Sequence, residues 1–592
     1  MRCIISSILL SLCTVCLFAQ KQLSPAWKQY EQKLVQYDSR TVAYLSPVRV
    51  VWTETTADAS LNGIEQLLKK GNGQAELVQG TMCSMKTGTN GRVSFLLDFG
   101  RELQGGIQFV TGMSNNKEIE VRVRLGESVS EAMCDIANSS ENGATNDHAI
   151  RDFTLALPWL GVAEIGDSGF RFVRVDLTGD NVELLLKEMR AVFTYRDIPY
   201  RGSFRSDDER LNEIWMTGAY TVHLNMQEYI WDGVKRDRLV WIGDLHPEVM
   251  TVNTVFGYNE VIPKSLDLIR DMTPVPQWMN SMCSYSIWWL LIHRDWYYYQ
   301  GNLDYLKEQQ NYMTALLNHL MTQIGEDGKE CLSGGGRFLD WPSSENQKGV
   351  DAGLQAMMVM AMDAGCELAE ILGDTDLLKR CKSAAKRLRK YIPDHNQSKQ
   401  AAALMALTGL MDPKRADKEV ISVGGAKNFS TFYGYYMLEA MAKAGNYQGA
   451  IDIIKTYWGA MLDLGATTFW EDFNMDWTVN AARIDELVPE GKVDVHRSYG
   501  DYCYKGFRHS LCHGWASGPT SWLSRYVLGV QVVDPGCKKV KITPHLADLK
   551  WVEGTFPTPY GDIKIRHEKL PNGKIKSDIQ APDEVEIIKT NR

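Results

Sequence analysis

From position 41 to about 200, apolar and polar residues alternate in short runs, as in Val48-Arg49-Val50-Val51-Trp52, Val93-Ser94-Phe95-Leu96-Leu97 and Phe172-Val173-Arg174-Val175. A period of two turns one face of each run toward a core, and Thr89-Asn90-Gly91 and Thr178-Gly179-Asp180-Asn181 supply turns between runs. The pattern predicts an antiparallel β-sandwich over 41–200. At Ser206 the period changes. Ser206-Asp207-Asp208-Glu209 has the form of a capping box, and Leu211, Ile214, Trp215 and Ala219 follow at helical spacing. A helical domain is expected over 206–528, with roughly eleven or twelve helix-like segments, among them 287–300, 303–321, 350–372, 375–391, 433–444 and 521–528. That number suits a barrel of six helical hairpins, although no repeated motif marks the hairpins. After Gly529 short strands return at 530–533, 540–542 and 563–565, separated by Asp534-Pro535-Gly536 and Pro571-Asn572-Gly573, which predicts a small β domain over 529–592. The expected fold is multidomain, a central (α/α)6 barrel flanked by an N-terminal β-sandwich and a small C-terminal β-sandwich. By architecture alone, that order is shared with polysaccharide-processing proteins.

Composition narrows the field. The 592 residues are 44% hydrophobic and 23% charged, a globular balance. A net charge of −9 offers no overall field for a polyanion, so nucleic acid is not an expected partner. The 17 Trp and 25 Tyr suit either a large core or stacking on sugar rings. Met1 and Arg2 precede an apolar run from Ile4 through Phe18, which reads as a signal peptide over 1–19 and predicts a secreted or periplasmic protein. The apolar run is short for a bilayer span and no later segment rivals it, so an integral membrane protein is not expected. Of 12 cysteines, Cys3, Cys13 and Cys16 fall in this leader, and the rest are dispersed without paired spacing, which argues against a disulfide framework. His509, Cys512 and His513 resemble part of a metal site but have no second ligand pair, so packing is the better reading and no metal or cofactor is expected.

Two segments carry candidate chemistry. Residues 231–248 place Asp232, Asp237, Asp244 and Glu248 among Lys235, Arg236 and Arg238, with Trp231 and Trp241. A charge run is commonly a solvated helix face, but Gly233, Gly243 and Pro247 interrupt any long helix here, and two indoles are costly to leave exposed without a role. In Gly465-Ala466-Thr467-Thr468-Phe469-Trp470-Glu471-Asp472-Phe473 a carboxylate is enclosed by aromatics, as a partly desolvated acid or base often is. In a closed ring of hairpins the first and last pairs become neighbours, so both segments can border one cleft. The Gly334-Gly335-Gly336-Arg337-Phe338-Leu339-Asp340-Trp341 loop adds a candidate sugar-stacking wall at Trp341 with Asp340, and Trp278 is a further aromatic candidate.

The first segment resembles the Asp-Cys-Pro-Gln-Arg-(Asp)-Glu-Arg-Leu-Gly-Trp-Thr-Gly-Asp stretch of the α-L-rhamnosidases of glycoside hydrolase family 78. The second resembles their Gly-Ala-Thr-Thr-Xaa-Trp-Glu stretch. The resemblance implies an inverting, metal-independent glycosidase on an (α/α)6 barrel, with Asp237 as general acid, Glu471 as general base, and Asp232, Arg236, Trp241 and Asp244 holding the sugar. It also puts His513, in Leu511-Cys512-His513-Gly514, where the family has a sugar-binding His. The chain departs from the pattern in carrying Asp at the acid position, one residue fewer beside it, and Gly233-Val234-Lys235 for Cys-Pro-Gln; a shorter acid must sit closer to the leaving oxygen.

Inversion requires a protonated carboxyl and an ionised one roughly 6.5–9.5 Å apart, with room for water. A paired arginine lowers an acid's pKa, so Arg236 is expected on Asp232, Asp244 or a sugar hydroxyl, and a tight Arg236–Asp237 pair would count against Asp237 as the acid. The expected function is release of terminal α-L-rhamnose or a closely related sugar from glycans or glycosides, with a carbohydrate as partner and homo-oligomerisation left open. The alternatives are a polysaccharide lyase on a helical toroid and a non-catalytic glycan-binding relative.

Overall fold

The computed structural model describes residues 25–589 except 34–36, 57, 78–79, 115–117, 136–150, 501 and 503; the leader expected over 1–19 lies outside the described residues. Nine strands between Thr41 and Tyr195 hydrogen-bond into one antiparallel sheet. Its organising element is the 19-residue strand Val93–Thr111. Along Val93 to Asp98 this strand pairs with Arg49–Thr55, along Gly105 to Thr111 with Glu183–Tyr195, and on its other edge with Gly161–Leu177. The strands predicted from alternation therefore form one hydrogen-bonded sheet, in which one long strand serves two sets of neighbours. Register shifts at Asp98/Leu103 and Gly105/Gly106 mark the change of partner. Gly105 is required there: its φ is 142°, and a Cβ would lie 1.9 Å from the Val192 carbonyl oxygen. Phe95, Leu97, Phe109, Val121, Val123, Val173 and Val175 form the core of this domain.

The helical region runs from Glu209–Asn225 to Gly518–Trp522. Helices buried nearly all round, such as Leu245–Val255 and Lys399–Thr408, are followed or preceded by helices that bury one face, such as Val261–Met272 and Thr375–Leu388. Several ends differ from those read off periodicity. The helix expected from 287 begins at Cys283, and that expected from 350 is Gln347–Ile371, capped by Asn346, whose side chain accepts from Gly349 N. The segment over 521–528 is the short helix Gly518–Trp522 continued by a wider turn over Leu523–Val527.

The capping box at Ser206 is not formed. Ser206 ends the strand Ser203–Ser206, paired with Val552, so the cap moves to Asp208, whose carboxylate accepts from Arg210 N at 3.0 Å and Leu211 N at 3.3 Å. That strand is the edge of a four-stranded sheet with Trp551–Thr558, Gly561–Lys569 and Ile575–Gln580; Val530–Asp534, Lys539–Ile542 and Glu586–Lys589 form a second, three-stranded sheet. Helices thus lie between β-sheet domains at both ends of the chain. Among the described residues no helix is long and apolar enough to cross a membrane.

The N-terminal sheet domain seats on the end of the helical region that carries the candidate loops. Tyr220 donates to the Glu102 carbonyl at 2.6 Å, Gly169 N to the Val234 carbonyl at 3.0 Å, and Arg171 to the Gly465 carbonyl at 3.1 Å.

Candidate active site

The segment between the helices Glu209–Asn225 and Leu245–Val255 folds as a loop tied to itself and to the chain around His513. Asp232 and Leu239 exchange backbone and side-chain bonds: Asp232 N donates to the Leu239 carbonyl at 3.1 Å, and Leu239 N to Asp232 Oδ1 at 3.0 Å. The Asp232 carbonyl accepts from Gly514 N at 2.9 Å. Asp237 and Arg238 take left-handed φ of 57° and 51°, a conformation that costs a non-glycine residue about 1–2 kcal/mol. The turn is held by Arg238, whose guanidinium donates to the Asp167 carbonyl, and it leaves the Asp237 side chain 20% exposed while Lys235 and Arg236 before it are buried.

Glu471 enters from the other side on a segment that runs beside residues 509–513. Glu471 N donates to the Ser510 carbonyl at 3.0 Å, and His513 N to the Phe469 carbonyl at 2.9 Å. The Glu471 carbonyl accepts from Thr431 Oγ1 at 2.6 Å and Trp515 Nε1 at 2.8 Å, which fixes the backbone and aims the side chain inward. Its Oε2 accepts from Ser510 N at 3.2 Å.

Arg236 lies between the two acids. Its Nη2 donates to Glu471 Oε1, and its Nη1 is 3.0 Å from Asp237 Oδ2. This corrects the expectation that Arg236 would contact Asp232 or Asp244, and the pair it forms with Asp237 counts against Asp237 as the acid. The cause is its anchoring: Nε donates to the Arg508 carbonyl at 2.9 Å and the guanidinium carbon stands 5.3 Å from the Tyr504 ring centroid, so the remaining nitrogens point to Asp237 and Glu471. One planar cation thus spans both carboxylates.

Asp244 and His513 form the floor. Asp244 accepts from Tyr285 Oη at 2.7 Å and lies 3.2 Å from His513 Nε2, and His513 Nδ1 faces Glu471 Oε1 at 3.8 Å. Burial lowers the His513 pKa, but Glu471 and Asp244 outweigh it and hold the imidazole above its ordinary value. Burial raises Asp244, and raises Asp232 well above the ordinary carboxylate range, with His513 opposing the shift and Asp237 and Asp244 adding to it.

Trp241 meets Tyr285 edge to face, with centroids 6.2 Å apart. Trp341 joins the same wall: it stacks on Tyr502 at 6.3 Å and meets Tyr504 edge-on at 6.0 Å, and Tyr504 in turn lies beside Arg236. Asp340 does not share that wall. Its carboxylate turns into the protein, accepting from Ser343 N, Ser430 Oγ and Gln400 Nε2. Trp278 stands apart from the carboxylates; it is buried, donates its indole N–H to the Ser333 carbonyl at 2.8 Å and packs on His319.

Tyr285, Tyr504, Ser510 and Trp515 escaped the sequence reading. Tyr285 belongs to an aromatic-rich helix that reads as core, and nothing in a linear pattern distinguishes the one hydroxyl aimed at Asp244. Trp515 was within reach of inference, two residues beyond His513. His509, Cys512 and His513 have separate partners: His509 Nε2 accepts from Asp472 N at 2.9 Å, Cys512 Sγ lies 3.9 Å from Asn225 Oδ1, and His513 faces Asp244. Among the described residues, the one cluster spaced to hold a metal ion is Glu127, Glu131 and His496.

Residues 199–527 match the bacterial alpha-L-rhamnosidase six-hairpin glycosidase domain, and residues 529–588 the bacterial alpha-L-rhamnosidase C-terminal domain. Comparison with curated proteins finds no match. Among solved structures, the chain resembles a GH78 family rhamnosidase of Bacillus sp. GL1, with 23% identity and a TM-score of 0.71 over 89% of this chain and 55% of that one. It resembles an alpha-L-rhamnosidase from Dictyoglumus thermophilum with 19% identity and a TM-score of 0.64 over 83% of this chain and 56% of that one. It also resembles a rhamnosidase from Klebsiella oxytoca with rhamnose bound, with 19% identity and a TM-score of 0.64 over 82% of this chain and 96% of that one. The likeness is one of fold, and the chain spans little more than half the length of the first two.

Proposed function

The chain belongs to the bacterial alpha-L-rhamnosidase six-hairpin glycosidase family, and from that premise we propose that it is an exported, inverting glycoside hydrolase releasing terminal α-L-rhamnose, or a closely related deoxysugar, from glycans or glycosides. The observation that carries this reading is that Asp237 and Glu471, two carboxylates distant in sequence, are brought to one group, Arg236; the 3.0 Å contact to Asp237 itself counts against Asp237 as the acid and leaves Asp232 as its rival. We read the helices over 206–528 as an (α/α)6 barrel. The alternation of fully buried and one-faced helices supports inner and outer rings. On the same reading, 41–200 and 529–592 are flanking β domains.

In this mechanism Glu471 is the base. Its carboxylate, bonded by Arg236 and the Ser510 N–H, takes a proton from water attacking the anomeric carbon. Asp237 is the acid, delivering its proton to the departing glycosidic oxygen. Its carboxylate is 3.0 Å from Arg236, so on this assignment the incoming sugar separates the two and leaves Arg236 on Glu471. Asp232, Asp244 and His513 offer buried hydrogen-bonding groups for the sugar hydroxyls, and Trp241 and Trp341 offer apolar faces.

A second assignment follows from the same geometry: Asp232 supplies the proton, because burial raises its carboxyl whereas Asp237 is held by a cation. Aryl glycosides of rhamnose, mannose, fucose and arabinose with graded leaving groups test both. Removing an acid costs about 10²–10⁴ on a poor leaving group and much less on an activated one. Asp237→Asn is expected to show that pattern and Glu471→Gln to lose activity on all leaving groups. The pattern in Asp232→Asn instead would reassign the acid, and no hydrolysis of any rhamnoside would sink the function. Nuclear magnetic resonance of the first-formed sugar checks inversion.

A further inference from the structure

Lys235 precedes Arg236 but points the opposite way, into the N-terminal sheet domain. Its side chain is 1% exposed, and Nζ lies 3.1 Å from Glu127 Oε2, 3.0 Å from Glu131 Oε1 and 2.6 Å from the His509 carbonyl, to which it donates. Glu127 and Glu131 flank the start of the short helix Val129–Met133, and Glu131 is paired in turn with Arg151 from the same domain. Glu127, Glu131 and Arg151, all from the chain before the helical region, are as buried as any apolar core residue.

The spacing of Glu127, Glu131 and His496 is that of a cation site, and the cation is the lysine. His496 has both ring nitrogens engaged, with Ser128 Oγ at 2.7 Å and the His509 carbonyl at 3.0 Å. Lys235 Nζ sits 3.4 Å from His496 Nε2 and completes the set.

The same carboxylate reaches the base. Glu127 Oε2 accepts from Leu511 N at 2.7 Å and Oε1 from Ser510 Oγ at 3.4 Å, and it is Ser510 N that donates to Glu471 Oε2. One oxygen, Glu127 Oε2, therefore holds both the loop that presents Arg236 and Asp237 and the segment that presents a donor to Glu471. A buried ion cluster of this kind is weak evidence for stability but fixes geometry, and a misplacement of about 1 Å in an active site can cost roughly 10²-fold in rate.

We propose that Lys235 and Glu127 are positioning residues through which the N-terminal sheet domain sets the spacing of the two reacting carboxylates. The proposal rests on the reading of Asp237 and Glu471 as acid and base. It makes the sheet domain part of the active site's frame, although none of its side chains is assigned to the sugar.

The test uses the full chain with Lys235→Met and, as an isosteric change that keeps an amide oxygen for Leu511, Glu127→Gln. Both are expected to lower kcat on aryl rhamnosides, Lys235→Met by about 100-fold and Glu127→Gln by about tenfold, with KM within about threefold. The Lys235→Met loss is expected to grow as the leaving group becomes poorer, the signature of a displaced acid that a purely structural role would not give. Hydrogen exchange supplies a readout independent of substrate: the Leu511 amide should exchange faster in both variants while the helices keep their protection. Should the unaltered chain cleave no rhamnoside while Leu511 exchange still accelerates in the variants, the coupling stands and the substrate assignment falls. Folded variants that keep kcat, leaving-group dependence and Leu511 protection overturn the proposal, and if Lys235→Met does not fold, Glu127→Gln decides it alone.

Discussion

His513 and Asp244 are joined through Nε2 and Oδ2 at 3.2 Å, both buried, with Glu471 3.8 Å away on the imidazole's other side. The imidazole pKa is raised above its ordinary 6.5, so the cation is kept to higher pH than in a free imidazole and is lost as pH rises through the raised value. Its loss removes the positive charge between Asp244 and Glu471, leaving Arg236 as the one cation in contact with Glu471 among the described residues. The expected outcome is an alkaline fall in kcat/KM governed by His513. Asp244→Asn removes one of the anions that raise it, so the alkaline limb should move to lower pH. A pH profile of kcat/KM for the two proteins checks this; an unmoved limb assigns the fall to another group.

Arg236 is the hinge between the acids, and its removal strands Glu471, whose side chain is 3% exposed, without its cation. Breaking a buried pair by deleting one partner costs about 3–5 kcal/mol, so Arg236→Met is expected to lose stability of that order in denaturant unfolding. Arg236→Lys keeps the charge but not the fork that reaches two carboxylates. It should recover part of the stability while kcat/KM stays down by about 100-fold or more.

Glu248 gives a prediction of opposite sign. Burial, with Asp244 and Asp232 nearby, raises its carboxyl well above the ordinary 4.5. The unfolded chain releases this proton near about pH 4.3 while the folded chain retains it, so stability falls as pH rises from there toward the folded value. Glu248→Gln removes the penalty. Thermal unfolding should show a gain of at least about 2 °C at pH 7 that disappears near pH 4.

Trp341 presents an apolar face through contacts with Tyr502 and Tyr504 and has no bond to either acid. Trp341→Ala is expected to raise KM about tenfold with kcat within about twofold, the mark of binding shared by ground and transition states. A selective loss of kcat would instead place it in the chemistry.

The sequence was informative where one residue's neighbours in the chain decide its environment. Alternation around Val93 and Val173 marks strands, and the glycine and proline breaks around Asp237 mark a loop, because both signals are local. Ser206 misled because its partner, Val552, lies far along the chain and claims the serine for a strand. Arg236 misled for the same reason: its direction is set by the Arg508 carbonyl and the Tyr504 ring, which no spacing near residue 236 reveals. Lys235 was visible only as one charge in a run, and its burial depends on two glutamates that belong to another domain.

The strand Ser203–Ser206 enters the chain just before the helical region yet, among the described residues, pairs with Trp551–Thr558, beyond the end of that region. The helices are thus bracketed by a clasp whose two halves are supplied from opposite sides of them. A fragment trimmed to the helices alone would open that clasp, leaving Phe204 uncovered and Asp208 without the anchored strand that leads into its cap. Any minimal version of this molecule should therefore keep both halves together.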